Sequence, residues 1–365
     1  MAVKRYKKDN IHYSPCRIDG HNKSFNFIIS EREAGKTTSV IAWKMYKSFF
    51  HNHRPCIVLR RMAVDITETY ISDLQNTTND FLPKSRRVKF DFKKGSIRDG
   101  IVDVTVNGRP YCRFIAMSCP KSRIKSLRYD NPGYMFIDEF IVDNRHGERY
   151  LSDESLRFRE IYNTFNRFAT RNGRVLKCYF CGNPYSVYNP YFVWLNVDLA
   201  KIRPGAFIVG KNYAIECYQI SDELREFIRT QNPLYDFDDA YTRYAFNGES
   251  INDSNITVVS RQPDGYKLRY VFRLNDKYLY VYYMAQNRDR TSTDYGKYWI
   301  RDADKYVGSH DVFAVDFNNL VDGTRLATTE IRMITYRLKQ CIGNRDVTYS
   351  SINAGYLTEQ IYNIL

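Results

Sequence analysis

Apolar positions in the first part of the chain alternate between the spacing of buried strands and the spacing of helices. Residues 25–29 form a short apolar run, which is typical of a strand buried on both faces. Ile41, Met45 and Phe49 then recur at every fourth position, which places them on one face of a helix. A second apolar run at 56–61 completes the order strand, helix, strand, and this order predicts a parallel βαβ unit.

Period-two alternation predicts β structure in the next part of the chain. Between residues 88 and 117, the runs VKFDF, IVDVTV and YCRFIAM follow one another, and Asn107-Gly108 separates the last two. Asn-Gly between alternating runs predicts a two-residue hairpin, because both residues accept the positive φ of a type I′ turn. The other predicted elements are helices at 65–82 and 153–168 and buried strands at 134–140 and 175–183.

The apolar pattern changes after residue 192. Helical spacing at 221–229 and 237–248 predicts a linking segment, and strand-like alternation dominates from residue 256 onward. Residues 266–285 have the pattern of a hairpin that turns at Asn275-Asp276. The last part of the chain is therefore predicted to be a small mixed α+β domain.

Length and charge narrow the classes of function. A chain of 365 residues suits two domains, and 55 Lys and Arg against 41 Asp and Glu give a formal charge of +14. Such a surplus favours a polyanion, above all nucleic acid, over a neutral small molecule as the partner. No apolar run indicates a membrane span or a signal peptide, so we expect a cytosolic protein with reduced cysteines and no membrane partner.

A candidate phosphate loop lies between the first predicted strand and the first predicted helix. Gly35-Lys36-Thr37 matches the end of the pattern G-x-x-x-x-G-K-[ST], in which the Lys reaches phosphate oxygens and the hydroxyl binds Mg²⁺. Ser30 stands where this pattern opens with glycine, and it lacks glycine's freedom at positive φ. A helix start that is capped by chance is the alternative. The strand before the loop and the amphipathic helix after it favour a nucleotide site.

Two carboxylates follow the apolar core of the strand predicted at 134–140. In an ATPase, Asp138 would hold the Mg²⁺ shell and Glu139 would polarise the attacking water, a division of labour suited to hydrolysis. An adjacent Asp-Glu pair is often only a strand end. The interpretation as a catalytic pair gains its weight from the phosphate loop about a hundred residues earlier.

A third candidate residue, Asn183, follows the strand predicted at 175–183 in the stretch CGNPYS. Open parallel sheets bind ligands beyond the carboxyl ends of their strands, where the Asn183 amide could sense a γ-phosphate. An ordinary Asn-Pro turn explains the same residues equally well. The local sequence therefore leaves both interpretations open.

Five stretches, taken in order, resemble the DNA-packaging ATPases of phi29-type bacteriophages. They are FNFIISEREAGKTTSV, IVLRR, YMFIDEF, CGNPYSVYNPYF and YTRYAFNGESINDSNITVV. The resemblance implies an α/β fold with an ASCE-type P-loop ATPase domain and a mainly parallel sheet at 1–215. It further implies a helical linker at 216–252 and a vestigial RNase H-like α+β domain at 253–365.

The same resemblance implies a motor that uses ATP and Mg²⁺. Its members form a ring, usually a homo-pentamer, on the portal vertex of an empty procapsid, which places this chain in the host cytoplasm during packaging. Double-stranded DNA is the implied substrate of translocation. A structural RNA is a further partner of the best-known members.

The resemblance also assigns roles to individual residues. Glu139 corresponds to the catalytic carboxylate, Asn183 to a coupling residue, and Arg171 to an arginine finger that acts in trans, with Arg174 as a competing candidate. Lys125 corresponds to a basic residue at the subunit boundary. The implied ligands are Thr37 and Asp138 for Mg²⁺, and Ser30, Arg32, Gly35, Lys36, Thr37, Thr38 and Lys125 for the nucleotide.

Charge elsewhere in the chain bears on nucleic acid. Basic stretches at 84–94 and 121–128 predict contacts with DNA phosphates that do not depend on base sequence, although such stretches also cover ordinary solvated surfaces. A two-metal nuclease needs several converging acidic residues, and the hairpin at 266–285 offers only Asp276. We therefore expect no nuclease activity.

The leading hypothesis is an ATP-driven translocase that packages double-stranded viral DNA into a procapsid and hydrolyses ATP between neighbouring subunits. A P-loop helicase or remodelling ATPase is the first alternative, and strand displacement without procapsids would favour it. A non-enzymatic nucleic-acid-binding module with a degenerate nucleotide loop is the second. DNA binding without any ATP turnover would favour that module.

Overall fold

The computed structural model divides the chain into two compact units, Met1–Ile251 and Asn252–Leu365. The residues that the structure describes are 11–143, 150–151, 154–185, 189–195, 197, 201–233, 257–274, 276–284, 297–315, 319–327, 338 and 347–364.

The first unit is built on an eight-stranded sheet. Its strands are β1 (Phe25–Ile29), β2 (Cys56–Arg60), β3 (Ile101–Val106), β4 (Arg109–Ala116), β5 (Tyr134–Asp138), β6 (Lys177–Gly182), β7 (Phe207–Val209) and β8 (Tyr213–Cys217). They lie in the order β3-β4-β2-β5-β6-β1-β8-β7. The six inner strands are parallel, and the two edge strands run antiparallel to their neighbours. The prediction of a mainly parallel sheet is confirmed.

Seven described helices accompany this sheet. They are α1 (Cys16–Gly20), α2 (Trp43–Phe50), α3 (Glu68–Asp80), α4 (Lys121–Lys125), α5 (Glu154–Thr170), α6 (Pro190–Trp194) and α7 (Asp222–Gln231). A π-helical turn, Thr37–Ala42, leads from the candidate phosphate loop into α2. Ile41, Met45 and Phe49 are all buried, so the helical face predicted from their spacing is confirmed.

The predicted hairpin at Asn107-Gly108 is confirmed, whereas the predicted strand at 88–92 is wrong. Asn107 and Gly108 have φ values of 50° and 75°, as a type I′ turn requires. The 88–92 segment touches the sheet only through a bridge between Asp91 and Thr105. Its backbone is bonded instead by side chains of α3, since Asn79 pairs with both polar groups of Val88. These bonds replace a sheet ladder.

The predicted boundary between an ATPase domain at 1–215 and a linker at 216–252 falls inside β8. This strand pairs in parallel with β1, the strand that leads into the candidate phosphate loop. The helix predicted at 221–229 is confirmed as α7, which begins at a Ser221 cap. The helix predicted at 237–248 lies outside the described residues.

The second unit is built on a seven-stranded sheet. Its elements are β9 (Thr257–Val258), β10 (Lys267–Leu274), β11 (Lys277–Met284), β12 (Lys297–Ala303), β13 (Val312–Ala314), β14 (Thr324–Leu326), β15 (Val347–Tyr349) and α8 (Ile352–Ile364). The strand order is β14-β13-β10-β11-β12-β15-β9. The hairpin predicted at 266–285 is confirmed, because Leu274 of β10 pairs with Lys277 of β11.

One face of this second sheet forms a core with the last helix. Leu279 and Ile300 of the sheet are buried in the same apolar cluster as Ala354 and Leu357 of α8. This packing confirms a mixed α+β unit, while the RNase H-like description stays a prediction. Across the described part of the chain, no helix has the length and apolarity to cross a bilayer.

Candidate functional site: a cleft at the carboxyl edge of the parallel sheet

The carboxyl ends of three neighbouring parallel strands, β1, β6 and β5, lie side by side along one rim of the first sheet. The candidate phosphate loop follows β1, Asn183 follows β6, and Asp138 ends β5. Parallel strands bring their carboxyl ends together, so segments far apart in sequence meet at this rim. A cleft of about 640 Å³ lies there, and its lining includes Arg32, Gly35, Lys36, Thr37, Thr38, Asp138, Glu139 and Asn183.

The loop between β1 and the π-helical turn at Thr37–Ala42 makes a tight turn with two left-handed residues. Glu33 has a φ of 60° and Gly35 a φ of 84°. A positive φ is strained for Glu33, which has a side chain, whereas Gly35 adopts it at no steric cost. Ser30 does not have a positive φ, so glycine's freedom is not needed where the sequence departs from the pattern. Its amide donates to the Gly182 carbonyl at 3.2 Å, which joins the loop to β6.

Lys36 points back into its own loop and to the neighbouring strand end. Its ammonium donates to the Ser30 carbonyl at 2.8 Å, the Ser30 hydroxyl at 2.9 Å and the Glu31 carbonyl at 2.7 Å. The Asn183 side-chain oxygen lies 3.1 Å away as a fourth acceptor. Burial lowers the pKa of Lys36 to about 8. The ammonium carries three protons, so it is fully bonded in this arrangement.

Asn183 is a contact point between the two neighbouring strand ends. Its side-chain oxygen accepts from Lys36, and its nitrogen donates to the Tyr185 hydroxyl at 3.2 Å. Arg32 of the loop donates to the same hydroxyl at 2.9 Å. The two alternatives for Asn183 are therefore not exclusive, because the residue begins a turn and also contacts the lysine of the loop.

Asp138 lies deep in the cleft with an 11% exposed side chain. Its Oδ2 accepts from the Tyr70 hydroxyl of α3 at 2.9 Å and lies 3.8 Å from an Nη atom of Arg60. Burial raises the pKa of Asp138 above its ordinary value, and the charge of Arg60 opposes that rise. The carboxylate is thus held in place by contacts from two other elements.

Glu139 has a side chain that is 61% exposed and a backbone in the left-handed region, with a φ of 56°. Its Oε2 accepts from Nη2 of Arg60 at 2.8 Å. Arg60 therefore spans both carboxylates from the end of β2. This charge-assisted hydrogen bond holds one carboxylate oxygen of Glu139 against Arg60.

Arg61, the residue after Arg60, belongs to a second ion pair. Arg61 binds Glu154 through two hydrogen bonds, from Nε at 2.8 Å and from Nη2 at 3.1 Å. The Glu154 side chain is fully buried and also accepts from the Tyr191 hydroxyl at 2.9 Å. Tyr191 lies in the NPYF stretch, so this pair joins β2 to α5 and α6.

The cleft offers oxygen ligands for a magnesium ion. The Thr37 side chain is exposed at its lining, and the Asp138 carboxylate lines the same cleft. A hydroxyl and a carboxylate, completed by waters and phosphate oxygens, are the ligands that Mg²⁺ prefers. The residues therefore fit a nucleotide-bound Mg²⁺. Thr38, the residue after Thr37, also contributes to the lining.

Arg171 and Arg174 lie away from the cleft, near the amino ends of the parallel strands β5 and β6. Arg174 donates to the Pro132 carbonyl at 3.0 Å and to the Asn131 side chain, just before the amino end of β5. Arg171 follows the last residue of α5 and is exposed. The six residues of β6 separate these amino ends from the cleft by roughly 20 Å. Neither arginine reaches the cleft of its own chain.

Lys125 also lies outside the cleft lining. It ends the short helix α4, and its side chain is exposed. The cleft therefore brings together eight of the implied site residues, and Ser30 joins them through Lys36, whereas Arg171 and Lys125 lie elsewhere.

Three residues of the site were missed by reasoning from the sequence. Arg60 was visible as one of two arginines that end an apolar run, but no local pattern connects it to Glu139. Tyr70 lies on a helix with no signal of its own, and Tyr185 lay inside the quoted CGNPYS stretch without a role. Their positions depend on which strands become neighbours, which the sequence does not state directly.

Fold and site together define a mixed α/β protein with a phosphate-loop-like turn and paired carboxylates at the edge of a parallel sheet. The chain belongs to the podovirus DNA encapsidation protein (Gp16) family, whose model matches residues 7–347. The predicted resemblance is thereby confirmed.

Individual relatives agree with this assignment. The DNA packaging protein of Bacillus phage phi29 is 23% identical over 271 residues, which are 73% of each chain. Among solved structures, the phi28 gp11 DNA packaging motor shares the fold with a TM-score of 0.63 at 16% identity, over 96% of both chains. The phi29 viral genome packaging motor assembly has a TM-score of 0.62 at 18% identity, over 97% of this chain and 99% of that one.

Proposed function

We propose that this protein is an ATPase that drives double-stranded DNA into a viral procapsid. The observation that carries the proposal is the convergence of Lys36, Asp138, Glu139 and Asn183 on one cleft in a member of a DNA encapsidation family. Lys36 would bind the β- and γ-phosphates, and Glu139 would polarise the attacking water. Asn183, which contacts Lys36 directly, would report the presence of the γ-phosphate to β6.

Nucleotide binding would exchange the internal bonds of Lys36 for bonds to phosphate. The loop has positive φ at Glu33 and Gly35, and a helical turn begins directly after it, so its backbone amides would bind an anion. Thr37 and Asp138 would hold Mg²⁺ on the phosphates. That ion supplies charge neutralisation of the phosphate oxygens when it is bound.

Hydrolysis is proposed to take place between neighbouring subunits of a ring. Arg171 lies too far from the cleft of its own chain to touch a nucleotide there, and its exposed side chain is available to an adjacent subunit. A finger supplied in trans contributes about 10³- to 10⁵-fold to the rate of phosphoryl transfer. Arg171 is favoured over Arg174, because Arg174 is bonded to the turn before β5.

The assembly and its partners are proposed from the family. The related chains are named as parts of DNA packaging motors, so this chain is proposed to form a ring, with five subunits as the expected number, at the portal vertex of a procapsid in the host cytoplasm. Exposed cations at Lys84, Arg87 and Lys89 would contact DNA phosphates. A structural RNA is a further proposed partner.

DNA-stimulated ATP turnover, measured with and without portal-bearing procapsids, tests this proposal. Lys36→Ala is expected to abolish turnover, and Glu139→Gln is expected to bind ATP without hydrolysing it. Mixing inactive Arg171→Ala and Glu139→Gln chains should restore part of the activity, because one chain supplies the finger and the other the carboxylate. Normal turnover in either Lys36→Ala or Glu139→Gln contradicts the ATPase assignment, and absence of rescue contradicts the role of Arg171 in trans.

A further inference from the structure

Arg60 is the last residue of β2 and Arg61 follows it directly, and both arginines contact Glu139. Arg60 binds the side chain of Glu139 at 2.8 Å. Arg61 instead donates from Nη2 to the carbonyl oxygen of Glu139 at 3.2 Å and to that of Phe140 at 3.1 Å.

The contacts of Arg61 explain how Glu139 keeps its unusual backbone conformation. A φ of 56° is uncommon for a residue with a long side chain, and such residues persist only where their surroundings hold them. Arg61 binds the carbonyl groups on one side of this turn. On the other side, the Phe140 amide donates to the Cys181 carbonyl of β6 at 3.2 Å. The backbone at Glu139 is therefore fixed from two neighbouring strands.

Arg61 is itself fixed by a carboxylate that has no access to water. Glu154 accepts two hydrogen bonds from Arg61, and its remaining partners are the Leu151 amide at 2.9 Å and the Tyr191 hydroxyl at 2.9 Å. Moving Arg61 away would leave a charged carboxylate buried without its counter-ion. Arg61 therefore keeps one position while the exposed side chain of Glu139 can change its partner.

We propose that Arg61 and Glu154 are positioning residues that hold the backbone of Glu139 fixed. The Glu139 side chain can then rotate from Arg60 toward the cleft while its Cα atom stays in place. This inference rests on the proposed function, because it concerns the carboxylate that would polarise water there. Neither Arg61 nor Glu154 belongs to the lining of the cleft. They act on the reaction through the position of Glu139.

Arg61→Lys tests the inference, since lysine keeps the charge but cannot bind both Glu154 oxygens and the two carbonyls together. In the full chain, we expect kcat for ATP to fall about tenfold or more, while the dissociation constant of a fluorescent ATP analogue stays within about twofold. A purely structural pair would instead weaken binding and turnover together, and that outcome would contradict the proposal.

A matched control and a readout without ATP complete the test. Arg113 binds both Asp103 oxygens, at 2.6 and 3.0 Å, in the same sheet but outside the cleft lining, so Arg113→Lys should leave kcat unchanged. By hydrogen exchange, Arg61→Lys should speed exchange of the Phe140 amide about tenfold without affecting the β2 amides. Unchanged exchange at Phe140 overturns the inference even if the ATPase assignment holds. Faster exchange supports it even if Lys36→Ala shows that the ATPase assignment fails.

Discussion

Glu31 of the candidate phosphate loop and Arg225 of α7 form a buried pair whose contribution to stability depends on pH. The side chains are 3% and 20% exposed, and Nη2 of Arg225 lies 3.6 Å from Oε1 of Glu31. Among the described residues, Oε2 of Glu31 is buried without a hydrogen-bond partner. Burial raises the pKa of Glu31 above its ordinary value, and Arg225 opposes that rise.

The sign of the pH effect follows from this raised pKa. Between the pKa of Glu31 in the unfolded chain and its higher pKa in the folded chain, the folded state binds more protons. The free energy of unfolding therefore falls as pH rises through that window. Arg225→Ala raises the folded-state pKa further, so its cost is small in acid, where Glu31 is protonated in both states, and large above neutrality. Removing one partner of a buried pair costs about 3–5 kcal/mol, and we expect about 3 kcal/mol at pH 8 because Arg225 is partly exposed.

Urea unfolding at pH 5 and pH 8 measures the effect. In a Trp299→Phe chain, the remaining tryptophans report on the first unit alone. Arg225→Ala should destabilise this unit by about 1 kcal/mol at pH 5 and by about 3 kcal/mol at pH 8, and Glu31→Gln should remove the difference. Arg123→Ala, which breaks an exposed pair, is the control and should cost less than about 1 kcal/mol at either pH. An equal cost of Arg225→Ala at both pH values refutes the reasoning.

Two further predictions concern a glycine of the cleft lining and the two arginines before the amino end of β6. Gly182→Ala would place a Cβ 2.8 Å from the Phe140 ring, so it should destabilise the first unit by about 1–3 kcal/mol in urea unfolding and lower ATP turnover. Gly95→Ala, with no atom within 4 Å of the new Cβ, should do neither, and equal effects of the two variants would contradict the steric argument. Arg174→Ala should lower the thermal midpoint by several degrees, because it leaves a backbone carbonyl without its donor. Arg171→Ala should leave the midpoint unchanged, and an equal loss in both would contradict the assignment of Arg171 to a neighbouring subunit.

The sequence predicted the elements of the cleft where local pattern and chemistry coincide. The apolar run before Ser30 and the run before Asp138 became the buried parallel strands β1 and β5, and both ends carry the residues expected of them. Asn183 could be placed because its strand was recognisable. Each of these predictions needed only spacing within one segment.

Interactions between distant segments could not be predicted in this way. Arg60 meets Glu139 across 79 positions because β2 and β5 are neighbours, and Tyr70 of α3 meets Asp138 across 68. The segment 88–92 alternates like a strand, but the side chain of Asn79 satisfies the backbone at Val88. Neither contact can be inferred from the residues of a single helix or strand. The order of strands decides the first, and a competing hydrogen-bond partner decides the second.

Because Lys36 is hydrogen-bonded within the protein, the proposed nucleotide binding would exchange these hydrogen bonds for bonds to phosphate. Without nucleotide, the ammonium is already satisfied by Ser30, Glu31 and Asn183, so phosphate must compete with the protein's own oxygens. The net affinity for nucleotide would then be the small difference between the free energy of the bonds to phosphate and that of the internal hydrogen bonds they replace. In the proposed ATPase, a substitution at Asn183 would shift that difference and with it the affinity for nucleotide. The dwell time of a bound nucleotide, and so the rate of each cycle, would then be adjustable from the end of β6.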